Sequence, residues 1–310
     1  MRQEKNLNQL FEEYTKECQF SSQLSSETIK GYKAVFQLFQ MLVPEIATAD
    51  LLSTEMVTEF FKRLQTRERK VGRTIKIGVK ISSIKTYWSK LHAFFEWLTI
   101  KSIIPKNPLL GIRPPQPAYN DIKALNENEV KKLYAAVSLH SKSQFILRRD
   151  TLMLSMLQFT GMRLGEFISL ELWDIDIERQ LLTVRSTTSK SKRLRLIPIH
   201  PTLLFHLKDY ISERNKRKYT TPYLLASANG DRVLSRPGLK HWVDNLGHRA
   251  GVKFHLHQFR HSFAVNLAIK NVNAVKIQKL LGHSSLNMTM TYLRSIETDE
   301  LQSDIQKLSL

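Results

Sequence analysis

The stretch HQFRHSFAVNLAIKNVNAVKIQKLLGHSSLNMTMTY, residues 257–292, carries the residues that decide how this sequence is interpreted. A histidine and an arginine three positions apart open it, and at that spacing they share one face of a helix. Gly282 is placed to end the following helix, and a short helix capped by one of two serines then leads to a tyrosine. A second histidine lies in the break between those helices. The four side chains that the stretch brings forward are His257, Arg260, His283 and Tyr292.

Two further segments lie upstream and add cationic side chains. In TGMRLGE, Gly161 is well placed to end one helix with a positive φ before the next helix begins. Arg163 therefore sits at a helix junction, where its guanidinium can point into a cleft. The segment TSKSKRLRLIP, residues 188–198, begins with a polar turn and continues with apolar residues at its end. Further apolar residues, Leu182 and Val184, come just before the segment. This pattern predicts a β-hairpin with Lys190 and Lys192 at its tip.

In this order and with these spacings, the segments resemble the motifs of the tyrosine recombinase family, the lambda-integrase-like and Xer-like enzymes. The resemblance covers essentially the whole chain and is strongest from Thr160 to Tyr292, where the combination of motifs is highly specific. It implies a mainly α fold with a small β-sheet or hairpin: a helical core-binding domain followed by a mixed α/β catalytic domain. It also implies an enzyme that cuts and rejoins DNA strands without a metal or a cofactor.

The chemistry of a phosphodiester explains why these residue types occur together. Its transition state carries extra negative charge, and two guanidiniums can bind the non-bridging oxygens bidentately. By resemblance, Arg163 and Arg260 have that role, and Tyr292 is the nucleophile that forms a 3′-phosphotyrosyl bond. The family's hairpin lysine aligns with Lys190 and donates a proton to the leaving 5′ oxygen. The histidines that hydrogen-bond the phosphate and assist proton transfer are His257 and His283.

The position of the general acid stays open between two lysines. Counting back from Arg195–Pro198, which resembles the family's Arg-Leu-Val-Pro, favours Lys190, but Lys192 is close. The family's hairpin tip usually has glycines around its lysine, whereas serines stand here. Asn271 likewise stands where the family usually has glycine, and asparagine tolerates the left-handed conformation well.

Three further polar residues near the motifs are interpreted as structural. Glu166 resembles the acidic residue that follows the family's first arginine, and we expect it to support its helix. His255 would precede the helix of His257, and His261 would lie off the face of Arg260. We therefore expect His255 and His261 to be bystanders.

The chain divides by composition into two domains and a proline-rich join. Residues 1–106 carry apolar side chains at helical spacing, which predicts a helical core-binding domain that contacts DNA. Residues 107–124 contain four prolines and no periodicity, so we expect a stiff linker. Residues 125–310 form the catalytic domain, which Asn126 opens as a helix cap. Its end, residues 295–310, predicts a terminal helix that docks on a neighbouring protomer in the family; docking on its own domain is the alternative.

The chain is strongly basic. A formal charge of +19 over 310 residues favours a polyanionic partner, with nucleic acid first and an anionic membrane surface second. We expect double-stranded DNA. Basic residues crowd the stretch 62–90, between the third and fourth predicted helices, where Glu68 is the lone acid. This run is either a solvated face or a phosphate-contacting surface.

Cysteine content and hydropathy bear on the compartment. Cys18 is the only cysteine, which excludes an internal disulfide and a cysteine-cluster zinc site. The N-terminus MRQEKNLNQL is charged and lacks the apolar region of a signal peptide. No stretch approaches the roughly 18 apolar residues of a membrane span. We therefore expect a cytoplasmic, nucleoid-associated protein with no membrane partner.

Three functional classes compete. The first is a site-specific recombinase that acts as a homotetramer on two synapsed sites, with an accessory DNA-bending protein or a partner recombinase. The second is a type IB topoisomerase, which uses the same chemistry as a monomer; the two domains, the linker and the terminal helix favour the recombinase. The third is a non-catalytic DNA-binding protein on the same scaffold, against which the complete residue set argues. A metal-dependent transposase lacks a carboxylate set at plausible spacing.

Overall fold

A computed structural model describes residues 6–72, 74–116, 124–189 and 191–293. The chain forms two compact units, Met1–Tyr119 and Asn120–Leu310, which we call the N-terminal unit and the C-terminal unit. Helices dominate the described part of both units. None of the described helices is both long and apolar enough to cross a membrane.

The described part of the N-terminal unit contains four α-helices. Their bounds are α1 Leu7–Phe20, α2 Ser26–Leu42, α3 Thr54–Thr66 and α4 Ile81–Ile100, with a 3-10 turn at Ala49–Leu51. The side chains of Asn6, Ser25 and Ser53 accept hydrogen bonds from backbone N–H groups at the starts of α1, α2 and α3. Such caps satisfy donors that a helix start leaves without a partner in the helix, so short polar residues fix where these helices begin.

Aromatic side chains form the centre of the N-terminal unit. The Phe11 ring stacks on the Phe36 ring with 3.8 Å between their centroids, and Phe94 meets Phe11 edge-on at 5.1 Å. All three side chains are buried. Aromatic pairs of this kind stabilise a core beyond the area that they bury. These buried rings therefore pack the helices of the N-terminal unit together.

One segment of the N-terminal unit departs from the predicted all-helical domain. Strands β1, Glu68–Val71, and β2, Thr74–Ile77, form an antiparallel hairpin between α3 and α4. Gly72 has a positive φ of 61° at the turn, a conformation in which a side chain would be strained. The β-branched residues of TIKI, residues 74–77, favour a strand, whereas the three successive charged residues of β1 give no strand pattern.

The start of the proline-rich join is packed on the N-terminal unit. Leu109 is fully buried in that unit's core. The side-chain amide of Asn107 donates to the His92 carbonyl at 3.2 Å and to the Glu96 carboxylate at 3.0 Å. This part of the join therefore belongs to the folded unit, while residues 117–123 lie outside the described residues.

The C-terminal unit is centred on one buried helix. Its helices are α5 Glu127–His140, α6 Gln144–Thr160, α7 Leu164–Ile168, α8 Pro201–Lys216, α9 Arg236–Ala250, α10 Leu256–Ile269, α11 Ala274–Leu281 and α12 Leu286–Leu293. Strands β3 Ile175–Asp176, β4 Leu181–Val184 and β5 Arg195–Pro198 form an antiparallel sheet in that order, and a 3-10 turn at Leu172–Asp174 precedes it. Helix α6 packs against α5, α8 and α10. Most of its side chains are buried, and the others are partly buried except for Gln144 at its start, which is exposed.

Local signals in the sequence of this unit predicted its turns correctly. Asn126 and Glu129 form a capping box at the start of α5. Gly161 ends α6 with a φ of 57°, and Gly282 ends α11 with a φ of 64°. Strands β4 and β5 form the predicted hairpin. The predicted fold class, mainly α with a small sheet, is therefore confirmed, while the helix predicted at 295–310 lies outside the described residues.

Candidate active site

Side chains from several segments of the C-terminal unit converge beside the end of α11. Helix α10 presents His257 and Arg260, the turn after α6 presents Arg163, and α12 presents Tyr292. The turn after α6 must come very close to its neighbours for this to happen. A Cβ on Gly161 would lie within 3 Å of side chains of both α10 and α11, so a glycine is needed at this position.

Backbone carbonyls at the turn after α11 hold both arginines. Arg260 is buried and donates to the Gly161 carbonyl at 2.6 Å and to the Leu281 carbonyl at 2.7 Å. Arg163 donates to the Gly282 carbonyl at 3.1 Å. Burial, and then the nearby Arg163 guanidinium, lower the pKa of Arg260 to about 10, so it stays charged at pH 7. Two guanidiniums fixed this close together form a strong site for an anion.

Glu166 is the buried carboxylate that balances part of this positive charge. Its two oxygens accept from Arg195 at 3.0 and 2.7 Å, and one of them also accepts from Arg163 at 3.1 Å. The Ser189 hydroxyl donates to the same oxygen at 3.3 Å. Burial alone would raise the pKa of Glu166, but the hydrogen bonds and charge of Arg195, followed by those of Arg163, lower it to about 2. This ionised carboxylate therefore joins α7 to the β4–β5 hairpin, beyond the helix-supporting role expected from the sequence.

Tyr292 lies among three imidazole rings. Its hydroxyl oxygen is 3.1 Å from His257 Nε2. The His283 ring stacks on the phenol ring with 5.4 Å between centroids and 13° between planes. The His261 ring lies 5.3 Å away at 49°. The phenol is therefore oriented by ring contacts, and its hydroxyl is within reach of a nitrogen base.

The two predicted catalytic histidines are neutral at pH 7. Burial, and then the charges of Arg260 and of nearby basic groups, lower the pKa of His257 below its ordinary value of 6.5. Burial, and then the site's arginines, lower the pKa of His283 to about 3. His283 Nδ1 is 2.8 Å from Thr289 Oγ1, a contact that orients the ring. A neutral imidazole can donate a hydrogen bond to an anion, so both rings suit contacts with a phosphate. A pKa of about 3 makes His283 a poor proton acceptor near pH 7, which leaves His257 as the better base of the two.

Five of the six predicted catalytic residues lie in this one site; they are Arg163, His257, Arg260, His283 and Tyr292. The sixth, Lys190, lies outside the described residues. Beside it, Ser189 is buried against Glu166, and its hydroxyl is 2.8 Å from that of Ser191. Lys192 has a positive φ of 52°. Ser189, at the start of the hairpin tip, is therefore held by the Glu166 carboxylate. The assignment of the general acid to Lys190 rather than Lys192 stays a prediction.

His261 lies beside Tyr292, closer to the site than the sequence suggested, while its interpretation as a bystander to the reaction stays a prediction. Its side chain is buried, and its ring packs against Tyr292. His261 follows His257 by four positions, a spacing that places both on one helix face. Its position relative to Arg260 alone does not reveal this contact. His255 does precede the helix, as predicted, and caps it through a hydrogen bond from Gln258 N–H.

Arg195 is the second residue of the site that the sequence analysis did not expect. Besides its two bonds to Glu166, its Nε donates to the Leu280 carbonyl at 2.8 Å. Its side chain therefore links β5 to the end of α11. Backbone carbonyls at that same end accept hydrogen bonds from Arg163 and Arg260. Within the described residues, no group of three or more metal-ligating side chains is close enough to hold an ion.

Comparison with known sequences identifies the family. The profile of the Phage integrase family matches residues 123–298, more than half of the chain. A tyrosine recombinase of Pseudothermotoga lettingae is 31% identical over 92% of this chain and 93% of its own length. The tyrosine recombinase XerA of Pyrococcus horikoshii is 32% identical over 78% of this chain and 77% of its own length. The chain therefore belongs to the tyrosine recombinases of the Phage integrase family, enzymes that cleave and rejoin DNA, and is similar to the Xer proteins.

Solved structures with the same fold support this assignment. The Tn1549 transposon integrase in complex with a circular intermediate DNA has a TM-score of 0.76 at 16% identity, covering 96% of this chain and 99% of that one. The XerH recombinase bound to palindromic difH substrate has a TM-score of 0.72 at 20% identity, covering 96% and 83%. A lambda integrase dimer bound to a core site has a TM-score of 0.71 at 19% identity, covering 94% and 79%. At these identities the likeness is one of fold.

Proposed function

We propose that the protein is a site-specific recombinase that cuts and rejoins double-stranded DNA through a 3′-phosphotyrosyl bond at Tyr292. The observation that carries the proposal is the tyrosine hydroxyl 3.1 Å from a neutral histidine, in a site that also holds two guanidiniums. The net charge of +19 and the DNA-bound state of the XerH neighbour support duplex DNA as the substrate.

The scissile phosphodiester binds between Arg163 and Arg260. Each guanidinium has five N–H donors, and the carbonyl contacts use only some of them, so donors remain for phosphate oxygens. The pentacoordinate transition state carries more negative charge than the ground state, so fixed cations bind it more tightly and speed the reaction. Loss of one such preorganised donor typically costs on the order of 100- to 1000-fold in rate.

Bond making and breaking balance without an external energy source. The Tyr292 oxygen attacks phosphorus, the bond from phosphorus to the 5′ oxygen breaks, and the phenolic proton passes to His257 Nε2. The leaving 5′ oxygen takes a proton from Lys190, with Lys192 as the alternative donor. Because one phosphoester replaces another, a 5′ hydroxyl of a second strand can reverse the step and rejoin the DNA.

One carboxylate anchors both ends of the loop that carries the proposed general acid. Ser189 at the start and Arg195 at the end both hydrogen-bond Glu166, which also binds Arg163. The loop and a phosphate-binding arginine therefore share one rigid support. This geometry favours a lysine of the loop as the proton donor, because Ser189 and Arg195 hold the two ends of the loop beside the site.

We further propose an assembly of four protomers on two synapsed sites. The N-terminal unit serves as the core-binding domain, and residues 295–310 dock on a neighbouring protomer. An accessory DNA-bending protein or a partner recombinase completes the assembly at the nucleoid in the cytoplasm. The predicted amphipathic pattern of the tail and the charge of the N-terminal unit support this arrangement.

Recombination between two copies of a binding site, selected from a random duplex library, tests the proposed function. The wild type and a Tyr219→Phe control should exchange the flanking DNA; Tyr219 packs on Phe145 in the same unit, with 5.4 Å between ring centroids. Tyr292→Phe should bind the site with similar affinity and yield no recombinant. Relaxation of supercoiled plasmid with no dependence on two sites would contradict the proposal and indicate a topoisomerase.

A further inference from the structure

The hairpin of β1 and β2 is an exposed, basic ribbon. All eight strand residues are exposed except Arg69, which is half-buried. Ile75 and Ile77 are 69% and 74% exposed, unusual values for neighbouring isoleucines on one strand. An isolated two-stranded ribbon is only marginally stable in water. An exposed ribbon with two isoleucines in solvent is therefore a candidate binding element.

The base of the ribbon is fixed to the end of α3. Gly78 N–H donates to the Arg67 carbonyl at 2.8 Å, and Arg69 Nε donates to the Gly78 carbonyl at 2.6 Å. Gly78 has a positive φ of 63°, and a Cβ there would lie 2.3 Å from the Gln65 carbonyl oxygen. The ribbon therefore leaves its unit in a set direction, which lowers the entropy that binding would cost.

The strand register distributes cations over both faces of the ribbon. Opposed residues of an antiparallel pair share a face, so Lys70 lies beside Ile75 while Arg69 lies beside Lys76 on the other face. Residues 68–77 contain four basic residues and one acidic residue. A second copy of the ribbon would be repelled by this charge, whereas duplex DNA is complementary to it.

We propose that the β1–β2 hairpin is a DNA-binding ribbon that enters a major groove of the bound duplex. A groove about 12 Å wide admits a two-stranded ribbon. Lys70 and Lys76 contact phosphates along the groove. Ile75 and Ile77, which share their face with Lys70 and Glu68, lie against base edges, where thymine methyl groups offer apolar contact. The inference rests on the proposed function for its choice of partner, and it adds a binding element outside the C-terminal unit.

Anisotropy with the full chain and a short fluorescein-labelled duplex of mixed sequence, at several salt concentrations, tests the phosphate contacts. In Lys70→Gln with Lys76→Gln, the slope of log affinity against log salt should fall by about two, roughly one for each lost contact. A matched control, Lys16→Gln with Lys30→Gln, removes two exposed charges from α1 and α2 and should change the slope less. An unchanged slope in the hairpin variant, or an equal change in the control, would overturn the proposal.

A second variant separates DNA from a protein partner. Ile75→Thr with Ile77→Thr keeps β-branched residues and should weaken duplex binding by single protomers. Unchanged single-protomer binding, with loss of cooperative filling of two adjacent sites, would overturn the proposal and indicate a protomer contact. All hairpin variants should still form the covalent tyrosine adduct at saturating protein concentration. If the hairpin variants bind DNA like the wild type, the proposed ribbon is wrong and the proposed reaction is untouched. If the wild-type protein forms no covalent adduct with DNA, the proposed reaction itself is contradicted.

Discussion

Replacing Glu166 by glutamine removes the negative charge that two guanidiniums share and keeps the shape of the side chain. The pKa of this carboxyl lies at about 2 in the folded protein, against an ordinary value of 4.5. Since one pKa unit corresponds to about 1.4 kcal/mol, the carboxylate contributes about 3 kcal/mol to folding at pH 7. The residue is 2% exposed, so solvent does little to screen this interaction. In a unit of this size, that loss should lower the melting temperature by roughly 6 to 12 °C.

The stabilisation by the Glu166 carboxylate should decrease as the pH falls. A carboxyl with a depressed folded pKa stabilises the protein fully above its unfolded value and loses that contribution as the pH falls toward its folded value. The difference in unfolding free energy between wild type and Glu166→Gln should therefore be largest near pH 7 and less than half as large at pH 3. Denaturant unfolding at both pH values measures it. Glu127→Gln, which removes an exposed partner of Lys131, is the control and should have no measurable effect. Equal stability of Glu166→Gln and wild type at pH 7 would refute the reasoning.

Three further predictions test parts of the site. Arg195→Gln should slow cleavage of ordinary DNA more than cleavage of a substrate with a sulfur 5′ leaving group, because sulfur departs without a proton from Lys190; equal slowing would argue against a loop-positioning role. In an NMR titration without DNA, the His283 ring should stay neutral down to about pH 4, since burial and then the arginines lower its pKa to about 3; protonation near pH 6.5 would contradict the site geometry. Deleting residues 295–310 should leave adduct formation intact and reduce tetramer assembly, so a normal recombination yield would remove the proposed docking on a neighbour.

The sequence predicted those parts of the fold that short-range chemistry controls. Helix caps such as Asn126 and left-handed glycines such as Gly161 act over a few residues, so their signals are local. The hairpin of β1 and β2 was missed because its basic residues were interpreted as a solvated face or a phosphate-contacting surface, without regard to secondary structure. The three successive charged residues of β1 carry no alternation that would have indicated a strand.

The residues of the candidate site could be predicted from the sequence, but most of the contacts between them could not. Residue order and spacing pointed to five side chains that the structure brings together. The bridge from Arg195 to Glu166 spans 29 positions, and no local pattern reports a contact at that separation. The contact of the His261 ring with Tyr292 was accessible from the sequence, because His261 follows His257 by four positions and shares its helix face.

Identification of the residue that bonds to DNA tests the central claim most directly. A duplex nicked near the cleavage position releases the short strand after attack and traps the protein on DNA as a complex that resists denaturant. Peptide mapping of that complex by mass spectrometry should place the nucleotide on Tyr292, and Tyr292→Phe should bind the duplex without forming the complex. Arg163→Ala and Arg260→Ala should also lose the complex while Tyr292 remains, because the transition-state charge is then unmatched. A nucleotide found on any other residue, or a complex formed by Tyr292→Phe, would contradict the account.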